Sequence, residues 1–150
     1  MAIRDATEDD AEAISALTRA LTRKFISHEF PTGARRALDD ALAPERVRGN
    51  MRGGVRYHVF EEAGEIVGVV AMRPSGHLLK LFVAEAAQGR GHARALWDAA
   101  RTASRASGHI GPFTVSAALA AVAMYERFGF TASGEATSEG GVVRVPMRTS

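Results

Sequence analysis

The sequence predicts a single α/β or α+β domain, and three observations lead there. Its 150 residues are about one domain's worth of chain. Stretches with apolar residues at helical spacing alternate with stretches at strand spacing. Near the middle, three strand-like runs follow one another across short turns, which makes an antiparallel meander.

Residues 2–6 form a short first strand. Thr7 is placed to cap a helix, with Glu8, Asp9 and Asp10 against its positive end. Ala11, Ile14, Leu17, Leu21 and Phe25 then recur on one helical stripe. Pro31 and Gly33 break the chain, residues 34–42 form a second helix, Pro44 ends it, and residues 45–51 add one turn. The meander comprises residues 57–61, 65–73 and 78–83, turning at Ala63-Gly64 and at Pro74-Ser75-Gly76. Its second strand is apolar on both faces and is expected to be central and covered on both sides, and its third is again apolar on both faces, Lys80 excepted. A small-residue loop leads into a helix over residues 90–107, with Ala93, Leu96, Trp97, Ala100 and Ala103 or Ser104 as its core stripe. Residues 113–116 form a strand and residues 118–128 a helix capped by Gly129. Residues 131–135 and 142–147 read as a closing hairpin around Gly140-Gly141.

Composition removes several function classes. The absence of cysteine excludes disulfides, thiolate metal sites and cysteine nucleophiles. The five histidines, at positions 28, 58, 77, 92 and 109, show no metal-ligand spacing, so no metal is expected. Nineteen basic against 17 acidic residues leave a charge of +2, and aromatic residues form no stacking row, so no nucleic-acid partner is expected. No apolar run approaches the ~18 residues of a membrane span, and the polar, acidic first ten residues do not read as a signal peptide. A cytoplasmic protein without a membrane partner is the expectation.

The informative chemistry lies in residues 81–96, LFVAEAAQGRGHARAL. A buried strand runs through a glycine-containing loop into a long helix. The first helical turn has N–H groups without intrahelical acceptors at the positive end of the dipole, and Gly89 and Gly91 let a ligand approach the main chain. That is an anion site suited to phosphate. A Walker loop would need Gly-Lys-Ser/Thr after four spacers, which is absent. A dinucleotide fingerprint would need a small residue where Arg94 stands, and would open a parallel unit rather than follow a meander. The run Gln88-Gly89-Arg90-Gly91-His92-Ala93 instead resembles the pyrophosphate signature of the GNAT acyltransferase superfamily, Arg/Gln-x-x-Gly-x-Gly/Ala. About 30 residues on, residues 115–130, VSAALAAVAMYERFGF, resemble that family's strand–helix motif ending in Tyr-Glu-Lys/Arg-x-Gly-Phe, and Val145-Pro146-Met147 resembles its last strand.

The resemblance implies a GNAT fold, with a mixed, mostly antiparallel sheet of about six to seven strands flanked by about four helices. It implies acetyl-CoA as co-substrate and a primary amine, small molecule or peptide, as acceptor. On this resemblance the backbone of Gln88, Gly89, Arg90, Gly91, His92 and Ala93 holds the pyrophosphate of coenzyme A, with Arg90 and Arg94 adding charge. Leu81, Phe82 and Val83 lie where relatives pair with the pantetheine arm, where an N–H can polarise the thioester carbonyl. Tyr125 stands at the general-acid position, to protonate the departing thiolate. Ser116 stands where many relatives have Asn, and its hydroxyl replaces only part of what an amide offers. The general base is left among His77, Glu85 and water. His28 and Glu29 fall in the acceptor region, and Arg35, Arg36, Arg46, Arg48 and Arg52 make the adjoining segment basic, which hints at an acidic acceptor. The alternative function is a coenzyme A-binding module without acceptor chemistry. A homodimer is compatible with the resemblance.

Overall fold

The computed structural model describes residues 3–25, 31–139 and 142–150. The sheet begins at one edge with β1 (Ile3–Asp5), followed by β2 (Arg56–Glu62), β3 (Glu65–Met72), β4 (His77–Val83) and β5 (Thr114–Ala118). Beyond β5 lies β8 (Val142–Arg148), which pairs with both β6 (Thr131–Ala132) and β7 (Thr137–Glu139). All pairings are antiparallel except that of β4 with β5, which is parallel. The fold is thus mixed α/β around a mostly antiparallel sheet, of eight strands among the described residues.

Among the described residues, five α-helices cover the sheet: α1 (Ala11–Phe25), α2 (Thr32–Ala41), α3 (Pro44–Arg52), α4 (His92–Ala106) and α5 (Val122–Arg127). Alternation along the strands sorts their side chains between two cores. Tyr57, Val59, Val69 and Ala71 meet Ala11, Ile14 and Val47 from α1 and α3. Val70, Met72, Leu78, Val83, Val115 and Ala117 meet Leu96, Trp97, Ala100 and Tyr125 from α4 and α5. Trp97 is fully buried, edge-on to Phe113 at 5.3 Å and tilted against Phe130 at 5.0 Å. That aromatic cluster fixes α4 against the chain entering β5.

The N-terminal start signal acts through Asp10. The Thr7 N–H donates to the Asp10 carboxylate at 2.8 Å, and Arg4 donates to both its oxygens at 2.9 Å. The positive partner and these bonds hold the Asp10 carboxyl below its ordinary pKa. A 3-10 turn, Glu8–Asp10, therefore precedes α1.

Several boundaries differ from the sequence reading. The segment expected to add one turn is the whole of α3, and Pro44, read as a terminator, occupies its first turn, where a missing N–H costs nothing. The expected helix over residues 118–128 is shorter: Ala118 ends β5, Leu119–Ala121 is a 3-10 turn, and α5 covers Val122–Arg127. The strand expected over residues 131–135 is two short pieces on β8: Thr131 faces Arg148 and Thr137 faces Arg144. The turn at Gly140-Gly141, and His28 and Glu29, lie outside the described residues.

Candidate active site

The sheet parts between its two parallel strands. β4 and β5 are paired only at His77↔Thr114 and Leu78↔Val115. The junction is held by the Thr114 N–H donating to the Gly76 carbonyl at 3.0 Å. Past Leu78, β4 stays with β3, pairing Val70 with Leu81, Val69 with Phe82 and Gly68 with Val83. β5 instead stays with β8 from Thr114↔Arg148 to Ala118↔Arg144. A cleft of about 590 Å³ opens in the gap.

One wall is Leu81, Phe82 and Val83 of β4, and the other is Ala118, Ala120, Ala121, Met124 and Phe128. Its end is the loop from Gln88 into α4. Gly89 and Gly91 have φ of 81° and 84°, a left-handed region that favours glycine, and added Cβ atoms would meet nothing within 4 Å. The first backbone bond of α4 runs from the Ala95 N–H to the Gly91 carbonyl at 3.0 Å. The N–H groups of His92, Ala93 and Arg94 thus have no acceptor within the helix. Main-chain donors and the positive helix end face an open, largely apolar trough. Such a site takes an extended ligand with an anionic group at one end.

The side chains around the loop are braced. Gln88 folds back, its Nε2 donating to the Val83 carbonyl at 3.0 Å. Arg90 is turned aside to Glu62, at 2.9 Å from Oε1, and does not line the cleft. His92 is buried on the Phe60 ring at 4.0 Å, with Nε2 3.3 Å from Glu62 Oε2. Arg94 lines the cleft, donates to the Arg127 carbonyl at 2.9 Å and lies over the Phe128 ring, so it ties α4 to the end of α5.

Tyr125 is 6% exposed, packed edge-on to Phe128 and Phe130. Burial pushes its hydroxyl pKa well up, although Arg144 acts the other way. Its neighbours Met124 and Phe128 bound the cleft, while Tyr125 itself does not. Ser116 also stays off the cleft. Val115 and Ala117 turn into the α4 core, so Ser116 projects from the opposite face, exposed and opposite Pro146. His77 sits at the closed end of the gap, its Nδ1 2.8 Å from Thr114 Oγ1, and burial lowers its pKa. Glu85 is exposed and paired with Lys24 from α1.

Some features of the site escaped the sequence reading. Leu21 of α1 and the small residues Ala118, Ala120 and Ala121 line the cleft. The alanine-rich run at 117–123 was the available signal, because small residues permit close approach. Lys80 was noted only as an exception on an apolar strand. A register shift between Ala71 and Met72 leaves Leu79 as an extra residue on β4. Lys80 then turns toward the α1 and α3 core, its Nζ buried without a hydrogen-bond partner and 5.8 Å from the Tyr57 ring centre. Burial lowers its pKa to about 8. The basic segment is also less free than its arginines suggested: Arg48 pairs with Glu12 and Glu45, and Arg52 with Glu8 at 2.6 Å.

The acetyltransferase (GNAT) domain model matches residues 10–150. The chain belongs to the GNAT acetyltransferase family. Among solved structures, a GCN5-related N-acetyltransferase from Rhodopseudomonas palustris superposes with a TM-score of 0.84 at 21% identity, covering 99% of this chain and 94% of that one. PaiA N-acetyltransferase from Thermoplasma acidophilum, solved with coenzyme A, gives 0.81 at 13% identity, over 98% and 96%. A ribosomal-protein-alanine N-acetyltransferase from Brucella melitensis gives 0.73 at 21% identity, over 99% of both chains. At these identities the likeness is one of fold. No curated protein matches the sequence. Among the described residues, no helix is long and apolar enough to cross a membrane, and no three potential ligands cluster around a metal position.

Proposed function

We propose that this chain is an N-acetyltransferase moving an acetyl group from acetyl-CoA to a primary amine. The observation that carries this is the cleft, where β4 loses its parallel partner just before a glycine loop and the free N–H groups of α4. The neighbour solved with coenzyme A supports the same ligand here. Acetyl-CoA supplies an activated carbonyl carbon and a thiolate leaving group.

The residues of this chain divide the work. The N–H groups of His92, Ala93 and Arg94, with the main chain of Gly89 and Gly91, take the pyrophosphate. The main-chain edge of Leu81, Phe82 and Val83 aligns the pantetheine arm and offers an N–H to the carbonyl oxygen as charge develops there. The amine nitrogen bonds to the carbonyl carbon, the carbon–sulfur bond breaks, and the sulfur takes a proton from the Tyr125 hydroxyl. The proton that nitrogen sheds passes to His77, Glu85 or water. The lowered pKa of His77 favours the neutral ring that a base needs, and Glu85 is committed to Lys24. The raised pKa of Tyr125 keeps its proton in place until sulfur demands it.

A second reading, a coenzyme A-holding module, is favoured by Tyr125 lying off the cleft wall. Two measurements separate them. Acetyl-CoA at 100–1,000 times its Kd should stabilise the fold by roughly 3–4 kcal/mol, with no comparable shift from NAD or ATP. Thiol release with a panel of amines should then fall about 10²–10⁴-fold in Tyr125→Phe while the acetyl-CoA shift persists. Unchanged turnover in that variant rejects Tyr125 as the acid. A thermal shift with no amine accepted supports the module.

A further inference from the structure

β5 and β8 present two unlike faces. Val115, Ala117, Val145 and Met147 turn into the core beneath α4 and α5. The residues between them point the other way: Thr114, Ser116 and Ala118 on β5, with Arg148, Pro146 and Arg144 directly opposite on β8. Thr131 and Thr137 extend that face, opposite Arg148 and Arg144. The core beneath α1 and α3 stops short of it, drawing on β2, β3 and β4 and on no described residue of β5 to β8. Ser116, Thr131, Thr137 and Arg148 are accordingly exposed, and Arg144 is half-buried.

Three observations tie this open face to the reaction centre. Its near edge is the cleft, since Ala118 lines the cleft and Arg144 stands directly across from it. Burial raises the pKa of Tyr125, and Arg144 supplies the charge that opposes burial, so the guanidinium lies close to the hydroxyl. On the α4 side, Trp97, Phe113 and Phe130 are fully buried and fill the space, so an acceptor reaches the gap from the open face.

The chemistry of the face is one-sided. Its described side chains offer hydroxyls and two guanidinium groups, and none is a carboxylate. Neither Arg144 nor Arg148 is hydrogen-bonded or ion-paired among the described residues. Arg48 and Arg52, in the basic segment of the sequence, are by contrast taken up by Glu12, Glu45 and Glu8. Arg148 lies four residues on from Arg144, roughly 13 Å along the strand. Arg144 is thus the cation within reach of a ligand beside Tyr125.

We propose that this face receives the acceptor and that Arg144 binds a carboxylate on it, so that the preferred acceptor is a primary amine that also carries a carboxylate. The inference rests on the N-acetyltransferase reading above. A guanidinium fork pairs with a carboxylate through two parallel bonds, which fixes direction as well as adding attraction. Holding the far end of the acceptor there leaves its amine free to enter the gap.

The test compares matched acceptors: β-alanine with β-alaninamide, and 6-aminohexanoate with its amide. Thiol release from acetyl-CoA gives kcat/KM for each. In at least one pair the acid should exceed the amide by about fivefold or more. Arg144→Gln should bring that ratio near one, and Arg144→Glu should favour the amide, with KM for acetyl-CoA unchanged in both. Each amine's own basicity is the same for every variant, so the change in ratio reports Arg144 alone. Equal use of acid and amide by the wild type, or an undiminished preference in Arg144→Glu, overturns the inference. A second readout does not need turnover. N-acetyl-β-alanine, titrated by NMR onto the chain saturated with coenzyme A, should shift residues 114–118 and 143–148, and should not in Arg144→Glu. No turnover with a shift that depends on Arg144 overturns the transferase reading and supports the carboxylate site. No turnover and no such shift overturns both.

Discussion

β4 is held differently by its two neighbours. Against β3 it is paired from Leu78 to Val83, with one bulge, and the Ala84 N–H extends the ladder to the Val67 carbonyl at 2.7 Å. Against β5 it is paired at His77 and Leu78 only. The first side is a wall that burial makes rigid: Val69, Val70 and Ala71 are fully buried behind it. The second side leaves strand backbone open to a ligand, at the cost of ladder bonds a closed sheet would have. The site is a planned interruption in a sheet that is otherwise continuous, and it depends on what keeps the strands apart.

The largest expected effect comes from loosening that spacing. Trp97 holds α4 to Phe113 and Phe130, on the chain just before β5 and just after α5. Trp97→Ala should cost about 3–5 kcal/mol in denaturant unfolding and reduce the acetyl-CoA shift with it. Stability loss with the shift fully retained would show that the gap is set elsewhere.

Next is Lys80, on the bulged, paired side. Burial lowers its pKa from 10.5 to about 8, so the unfolded chain binds its proton more tightly. Stability should therefore rise as pH climbs from about 8 to 10.5: the native amine is neutral through most of that window, and the cost of removing the proton on folding vanishes only at its top. Lys80→Met should be more stable at pH 7 by up to roughly 3 kcal/mol and should lack that rise. A variant that is less stable at pH 7 would mean the amine is well solvated in the native state.

On the open side, Gly91→Val places a β-branched residue at φ 84°. It should cost about 1–2 kcal/mol in stability, and the thermal response to acetyl-CoA should disappear. A normal response would move the anion site away from the loop. The smallest change expected is in Gln88→Ala, which frees the Val83 carbonyl now held at 3.0 Å. A loss of about 1 kcal/mol is expected, with a raised KM for acetyl-CoA and little change in kcat.

The paired side was the more legible of the two. The apolar runs EIVGVVAM and HLLKLFV, with Ala63-Gly64 and Pro74-Ser75-Gly76 between strands, are local information, and the meander formed as that pattern predicts. The loop at Gln88–Ala93 was legible for the same reason, since glycine spacing and a following helix fix its geometry within a few residues. The other wall was less so. The run at 117–123 reads as helix by composition, yet Ala117 and Ala118 complete β5 because β8, far along the chain, offers them a partner.

By itself, then, the sequence determined the order of elements and the faces they bury, which follow from periodicity and turn residues over short stretches, while the motifs at residues 88–93 and 115–130 carried the resemblance to the family. Tertiary structure alone decided where β4 and β5 separate, and that Ser116 faces away while Tyr125 sinks between Phe128 and Phe130. It also decided that Arg48 and Arg52 are taken up by α1 and its approach, and that a bulge carries Lys80 into an apolar core. Each of these joins residues distant in the chain, and no local spacing specifies which distant groups will meet.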